Sequence, residues 1–298
     1  MIEFMKKKQH HILWTSLIIA ICSIGLIFTK GLNLGLEFVG GIEIELTTDQ
    51  SYQADQLKAA LKMPIAVVTP FGSDQQFLIK IPHHQSIDES LLQDNLLKNF
   101  QSENIKAEVT RMDIVGSEFS ASIYDQAITA IVFALVAMTL YIAIRFEWRL
   151  GLSAILALMH DPLIVLGFFS FFQWTFDLPA LAGLLAVIGY SINDTIVVFD
   201  RVRENFQRSD EPSEEIFFNS IHQTLGRTII TSLLTFMVVL SLLIFGTEVL
   251  RGFSLALAIG IISGTYSSIA VAGPLSLLFG VKKEHLFPPA ETDEEVSY

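Results

Sequence analysis

Six long runs of apolar residues dominate the pattern of the chain. They cover residues 12–28, 123–144, 150–172, 178–199, 228–245 and 252–279. Each is close to the ~20 residues that cross the ~30 Å hydrocarbon core of a bilayer. The last run is longer than one crossing needs, so we expect it to tilt or to end in an interfacial piece. The pattern predicts an α-helical integral membrane protein with six transmembrane helices.

The segment between the first two runs has a different period. Residues 42–46 (IEIEL) and 105–115 (IKAEVTRMDIV) alternate as half-buried strands do, and 64–70 and 77–82 read as two shorter strands on either side of a turn. Residues 52–62 favour a helix, and Ser86 followed by Glu89 predicts a capping box that starts a second helix through Phe100. The β-α-β-β-α-β order predicts one extracytoplasmic α+β domain of the ferredoxin-like type.

Basic residues predict which way the chain crosses the membrane. If the six spans alternate, one side receives Lys6, Lys7, Lys8, Arg145, Arg149, Arg201, Arg203, Arg208, Arg227, Lys282 and Lys283. Arg251 falls in a short loop on the other side, so the positive-inside rule makes the basic side cytoplasmic. We therefore expect a cytoplasmic N-terminus and first span (1–29), an external domain (30–121), spans two to six (122–280) and a cytoplasmic tail (281–298).

Composition narrows the possible functions. Of the 298 residues, 51% are hydrophobic and 17% are charged, which is typical of a membrane protein. The net charge is −12 and the basic residues are scattered, which gives no reason to expect nucleic acid binding. The sequence has no Walker A loop, metal-ligand spacing, G-x-S-x-G elbow or H-E-x-x-H motif. We expect neither an enzyme nor a cofactor or metal site.

Two carboxylates interrupt the apolar runs. Asp194 lies in the fourth run and shares a helical face with Tyr190, Ala186 and Ala182. Small residues on that face predict that it points into a helix bundle. Asp161 lies near the middle of the third run, between His160 and Pro162. A charged residue at a helix centre costs about 2.5 to 3.5 kcal/mol on insertion scales, so both need a partner or a function.

Arg227, at the start of the fifth run, is a candidate partner for Asp194. Two interpretations of the pair stay open. They form a fixed polar clamp between helices, or Asp194 is a protonatable carboxylate whose charge selects a conformation. The same alternatives hold for Asp161. His160 alone more often donates a hydrogen bond than relays protons.

A stripe of small residues runs along one face of the last span. Its members are four residues apart: Ala256, Gly260, Gly264 and Ser268, and then Ala272. This spacing indicates close helix packing.

Seven motifs in one order cover nearly the whole chain. They are GLEFVGG (35–41), RFEWR (145–149), HDP (160–162), IGYSINDTIVVFDRVREN (188–205), QTLGRT (223–228), EVLRGF (248–253) and GTYSS (264–268). Together they resemble the SecD/SecF family of protein-export membrane proteins, within the resistance-nodulation-division superfamily. The chain has Glu37 where the family usually has Asp, which keeps the charge, and Pro162 where an aliphatic residue would be expected.

The resemblance implies partners and a location. The chain would pair with SecD in a twelve-span complex of the bacterial inner membrane, with both termini cytoplasmic and its external domain periplasmic. That complex would work beside the SecYEG channel on an unfolded preprotein, and YajC and YidC are further candidate partners.

The resemblance also implies a mechanism driven by the proton-motive force. Asp194 and Arg227 fall where this family carries intramembrane charges, and Asp161 matches a family position. The motif with Glu37, Phe38, Gly40 and Gly41 would be the hinge of the external domain. The alternative hypothesis is a non-transporting scaffold that stabilises SecD and the channel. A third hypothesis is a small-molecule exporter of the same superfamily.

Overall fold

The computed structural model of the protein describes residues 2–63, 66–71, 73–82 and 89–287. In chain order its elements are α1 (Ile2–Lys30), β1 (Asn33–Leu34), α2 (Leu36–Val39), β2 (Gly41–Thr48), α3 (Ala54–Leu61), β3 (Val67–Phe71), β4 (Ser73–Pro82), α4 (Glu89–Ser102), β5 (Ala107–Val115), α5 (Ser117–Arg145), α6 (Trp148–Phe172), β6 (Thr175–Phe176), α7 (Leu178–Arg208), α8 (Ser213–Phe245), α9 (Arg251–Ser267), α10 (Gly273–Leu278) and α11 (Lys283–Leu286). A 3-10 turn at Glu248–Leu250 precedes α9, and a π-helical segment at Ser268–Ala272 joins α9 to α10.

Six helical segments of this structure are long and apolar enough to cross a membrane. They are Lys8–Lys30, Ser117–Arg145, Trp148–Phe172, Leu178–Arg208, Ser213–Phe245 and Glu248–Leu278. The six predicted spans are therefore confirmed, and the chain is a multi-pass membrane protein. Helices α7 and α8 run well beyond their apolar runs at one end of the bundle, where Glu204 pairs with Arg201 and Arg208 at the spacings that stabilise a helix surface.

The bundle has an inner and an outer set of helices. More than half of the most apolar window is buried in α6, in α7 and in the last span, against less than a fifth in α1, α5 and α8. Helices α6, α7 and α9 pack against one another at the centre. The two buried carboxylates lie on α6 and α7, within this inner set.

The α+β domain lies between α1 and α5 in the chain. Its antiparallel sheet has the order β3-β4-β2-β5, and its elements follow the predicted β-α-β-β-α-β order. Alternate residues of β2 and β4, including Ile44 and Ile79, pack with Leu57 of α3 and Phe100 of α4 in one core. The predicted capping box lies partly outside the described residues, because Ser86 is not among them.

A short junction joins this domain to the bundle. Strands β1 and β6 form a parallel pair of two residues each, and the Gly35 N–H donates to the Phe176 carbonyl at 2.9 Å. The Phe38 and Phe176 rings stack with their centroids 6.2 Å apart. We call the end of the bundle at this junction the domain end and the other end the far end.

Candidate functional site

Asp161 lies in the middle of the bundle, surrounded by hydrogen-bond donors. Its side chain is fully buried, at 0% exposure. It accepts hydrogen bonds from Ser263 Oγ at 2.6 Å, from Ser267 Oγ at 2.7 Å and from Ser191 Oγ. His160 Nδ1 lies 3.0 Å from its Oδ1. An ionised carboxylate has about four lone-pair sites, so these four groups can occupy all of them. We call Asp161, His160 and the three serines the Asp161 cage.

Close packing of α7 against α9 brings two sides of this cage together. A methyl group on Gly260 would lie 1.9 Å from Val187 Cγ2, and one on Gly264 would lie 3.0 Å from Ser191 Cβ. Both glycines belong to the predicted stripe of small residues. The absence of side chains there lets Ser191 on α7 and the serines on α9 reach one carboxylate on α6.

Ala256 and Ser268 flank these two glycines in the stripe, and its last member, Ala272, is fully buried at the end of the π-helical segment. Ala256 faces Gly183 of α7, where an added methyl group would lie 2.9 Å from Ala256 Cβ. Ser268 is fully buried at the start of the π-helical segment, and its hydroxyl donates to the Thr265 carbonyl at 3.1 Å. Ser267 bonds within the last span too, to the Gly264 carbonyl at 3.2 Å, but it also reaches Asp161 on α6.

Asp194 is almost as buried as Asp161, at 5% exposure, but has far fewer donors. Among the described residues its side chain accepts one hydrogen bond, from Ser232 Oγ, and this bond is long at 3.4 Å. Ser232 in turn accepts a hydrogen bond of 2.7 Å from Thr265 Oγ1. Asp194 is thus a buried carboxylate with most of its lone pairs unused, which is an unfavourable environment for a fixed charge.

Arg227 is exposed on the surface of α8. Its guanidinium is near enough to Asp194 to act on the carboxylate through space, but among the described residues it forms no ion pair in direct contact. Its carbonyl accepts a hydrogen bond from Thr231, and Thr235, one turn further on, accepts one from Tyr190 at 3.4 Å. The structure therefore brings Arg227 and Asp194 into one region without joining them.

The residues of the predicted hinge lie at the domain end. Phe38 is buried against the bundle, while Gly40 and Gly41 have positive φ angles of 75° and 149°. A methyl group on Gly41 would lie 2.3 Å from the Ile81 carbonyl oxygen. Glu37 Oε2 is buried without a partner among the described residues.

Asp177, at the N-cap of α7, shares this environment with Glu37. Its carboxylate accepts a hydrogen bond of 2.8 Å from the Ala180 N–H. Burial raises the pKa of the Asp177 carboxyl above its ordinary value, and the nearby negative charge of Glu37 adds to the increase, while the Ala180 hydrogen bond opposes it.

The sequence points to the two intramembrane carboxylates but not to the hydroxyl groups around them. Ser191, Ser232, Ser263, Thr265 and Ser267 were not singled out. A weak signal existed, because Ser263 and Ser267 are four residues apart on one face of an apolar helix. Nothing in the sequence indicates that this face meets Asp161.

Comparison with known families assigns most of the chain. Residues 95–282 match the model of the protein export membrane protein SecD/SecF, C-terminal, and residues 25–51 match the SecD/SecF GG motif. The second match contains the whole 35–41 motif.

Two curated relatives match nearly end to end. The chain is 39% identical to the protein translocase subunit SecF of Vibrio alginolyticus, over 100% of this chain and 96% of that protein. It is 41% identical to the SecF of Pseudomonas aeruginosa, over 93% of this chain and 92% of the relative.

Two solved structures share the fold. One is the crystal structure of SecDF, a translocon-associated membrane protein from Thermus thermophilus, with a TM-score of 0.81, 36% identity and 92% of this chain covered. The other is SecDF in a super-membrane-facing form, with a TM-score of 0.65, 33% identity and 91% of this chain covered. The chain spans 38% of each of these longer chains.

Proposed function

We propose a role in protein export for this chain, which belongs to the SecD/SecF family of protein-export membrane proteins. It acts as an accessory, non-catalytic subunit of the Sec machinery and promotes late translocation of an unfolded preprotein. End-to-end similarity to proteins named as translocase subunits supports this role.

The partner that we propose is SecD. Both solved relatives are SecDF chains much longer than this one, so the counterpart of their remaining length would be a second subunit. The outer helices α1, α5 and α8 leave most of their apolar surface uncovered, which gives such a subunit a face to pack against. Further contacts would be with the SecYEG channel, and YajC and YidC are candidates.

The proposed location is the bacterial inner membrane. Arg145, Arg149, Arg201, Arg203, Arg208, Arg227, Lys282 and Lys283 lie at or near the far end of the bundle. By the positive-inside rule the far end, with both termini, is cytoplasmic and the α+β domain is periplasmic.

Asp194 is the residue that we propose couples export to the proton-motive force. The observation that supports this is the contrast between the two buried carboxylates. Four donors stabilise the charge of Asp161, whereas Asp194 has one long hydrogen bond. Gaining or losing a proton disturbs fewer interactions at Asp194. Asp161 takes part as the fixed charge that the inner helices share.

Arg227 gives the charge of Asp194 a mechanical consequence. The ionised carboxylate attracts the guanidinium, and the protonated carboxyl does not. Uptake of a proton from the periplasmic side loosens α8 from α7, and release to the cytoplasm restores the attraction. One charge that crosses 100 mV supplies about 2.3 kcal/mol, enough to shift a two-state equilibrium about fiftyfold. The bundle then moves the domain through the junction at Glu37, Phe38, Gly40 and Gly41.

The test is preprotein export into sealed inverted membrane vesicles, with and without an imposed proton gradient. Asp194→Asn is compared with wild type at equal amounts of assembled complex. The matched control is Asp200→Asn, six residues along the same helix, where the carboxylate forms an exposed ion pair with Arg145 at 2.6 Å. We expect the gradient-dependent part of export to vanish in Asp194→Asn and to persist in the control. Unchanged gradient dependence in Asp194→Asn would favour the scaffold function instead.

A further inference from the structure

His160 is a buried titratable residue that the proposed coupling through Asp194 does not use. Its side chain points into the bundle and is 10% exposed. Nδ1 lies 3.0 Å from Asp161 Oδ1, while Nε2 is buried and has no hydrogen-bond partner among the described residues. The two ring nitrogens are therefore in very different environments.

The cage fixes which nitrogen carries the proton of the neutral ring. Three serine hydroxyls donate to Asp161, which suits an ionised carboxylate that only accepts. The remaining lone pair of this carboxylate needs a donor, so Nδ1 of His160 must be protonated. In a neutral imidazole the other nitrogen is then an acceptor, and Nε2 is left as a bare lone pair in the bundle.

The charge of the cage is uncompensated in this state. Serine hydroxyls are neutral donors, and a buried carboxylate is costly without a countercharge. The other titratable and charged side chains that the structure describes on the helices packed against α6 are engaged elsewhere or exposed. Asp194 is bonded to Ser232, Tyr190 to Thr235 and Tyr266 to Ser16. The remaining groups are Arg145 and Arg203, paired with Asp200, Arg201 and Arg208, paired with Glu204, Arg251, paired with Glu248, and the exposed Lys8, His10, His11, Cys22, Lys30, Glu118, Tyr124, Asp125 and Tyr141. Among the described residues, His160 is the neighbour in contact with Asp161 that can become a cation.

We propose that His160 and Asp161 form a second proton-binding site in the bundle, with Nε2 of His160 as the atom that takes up the proton. Uptake converts a neutral imidazole beside a carboxylate into an imidazolium–carboxylate pair. Every hydrogen bond of the Asp161 cage survives, because Nδ1 and the serines remain donors. This site differs from Asp194, where the proton binds to the carboxyl group itself. Proton binding at His160 does not depend on the export role, and any contribution to coupling rests on the proposed function.

The test is nitrogen-15 magnetic resonance of the full chain in lipid bilayers, with the histidine rings labelled. The signals of His160 are assigned by their loss in His160→Gln. Spectra are recorded between about pH 8 and about pH 5, where histidine side chains can change charge. We expect Nδ1 to be protonated throughout and Nε2 to gain a proton as the pH is lowered. A residue with a purely structural role would keep one form throughout.

Two variants make the result specific. Asp161→Asn removes the anion that stabilises the imidazolium, so protonation of Nε2 should be lost over the same pH range. His222→Gln changes an exposed histidine on α8 and should leave the His160 signals unaltered. The proposal is overturned if Nε2 carries the proton of the neutral ring, or if Nε2 does not titrate in wild type. Because the spectra are recorded without an export assay, either result leaves the test of Asp194 independent.

Discussion

Asp161 and Asp194 show how differently two buried carboxylates can be held in one bundle. Asp161 meets serines from two other helices and a histidine from its own, whereas Asp194 meets Ser232 alone among the described residues. Hydrogen bonds to a charged group contribute roughly 1.5 to 3 kcal/mol each, so the difference in the number of donors outweighs the small difference in burial. Burial alone would have ranked Asp161 as the better candidate for protonation.

The sequence could predict that these two carboxylates are important, but not which of them can change its protonation state. Both carboxylates are buried, but the face of α7 predicted to point into the bundle does so only in part, because Ala182 and Ala186 are exposed while Asp194 is buried. Their donors come from helices distant in sequence, as Ser191 and Ser267 do for Asp161. Charge and depth in the membrane were enough to suggest that Arg227 pairs with Asp194. They could not predict that the two side chains lie in one region without direct contact, because that depends on how α7 and α8 pack.

Asp177 gives a prediction about pH. Burial raises the pKa of its carboxyl in the folded state, so its contribution to stability is fully present below about pH 4 and is lost as the pH rises through the raised value. Asp177→Asn keeps a good N-cap acceptor and removes the charge. We expect the free energy of unfolding of Asp177→Asn to increase relative to that of wild type as the pH rises from 4 to 7, because wild type loses stability when Asp177 ionises. Thermal unfolding of the purified protein in detergent over this range measures the effect.

A second variant separates charge from capping. Asp177→Ala removes the bond to the Ala180 N–H and should lower stability by about 1 kcal/mol at acidic pH, where the charge is absent. If Asp177→Asn followed the wild type at every pH, the carboxyl would not be perturbed as described.

Among the elements, the contact between α7 and α9 sets the geometry of the site. Gly183 on one helix and Gly260 and Gly264 on the other allow the two backbones to approach closely. The stripe of small residues on the last span is visible in the sequence, because it follows from spacing alone. The helix that packs against this stripe cannot be identified from the sequence, because several spans carry small residues and only the packing shows which of them is the partner.

Gly260→Ala tests this contact. The new methyl group would overlap Val187, so α7 and α9 must separate or repack, at a cost of about 1 to 3 kcal/mol. Val187→Ala in the same chain should restore much of the loss. Gly189→Ala is the control, because that position has open space around it and alanine favours a helix. The measurement is the thermal unfolding midpoint of wild type and of the three variants. Equal midpoints for the two single glycine variants would refute close packing at Gly260.

For the whole molecule, the arrangement depends on how the domain is attached to the bundle. One connection passes through α2 and the two glycines Gly40 and Gly41, and the other passes directly from β5 into α5 at Gly116. The element order of the domain was predictable from alternation and turn residues. The short pairing of β1 with β6 was not, because two-residue strands leave almost no periodic signal.

Gly41→Ala tests whether this attachment carries motion. Its φ of 149° and the nearby Ile81 carbonyl leave no room for a methyl group, so the start of β2 must shift away from β4. We expect export to fall severalfold while the complex still assembles. Gly116→Ala, in the second connection, meets no atom within 4 Å and should export normally. Equal export by both variants, measured with the vesicle assay at matched protein levels, would show that the first connection is not a coupling element.

The central claim is that the exchangeable carboxyl proton of this bundle sits on Asp194 and that Asp161 stays ionised. The most direct measurement is the infrared difference spectrum of the reconstituted protein between high and low pH, which records the carbonyl stretch of protonated carboxyl groups. We predict that Asp194→Asn removes a band that wild type and Asp161→Asn both show. A spectrum in which Asp161→Asn loses the band and Asp194→Asn keeps it would contradict the account.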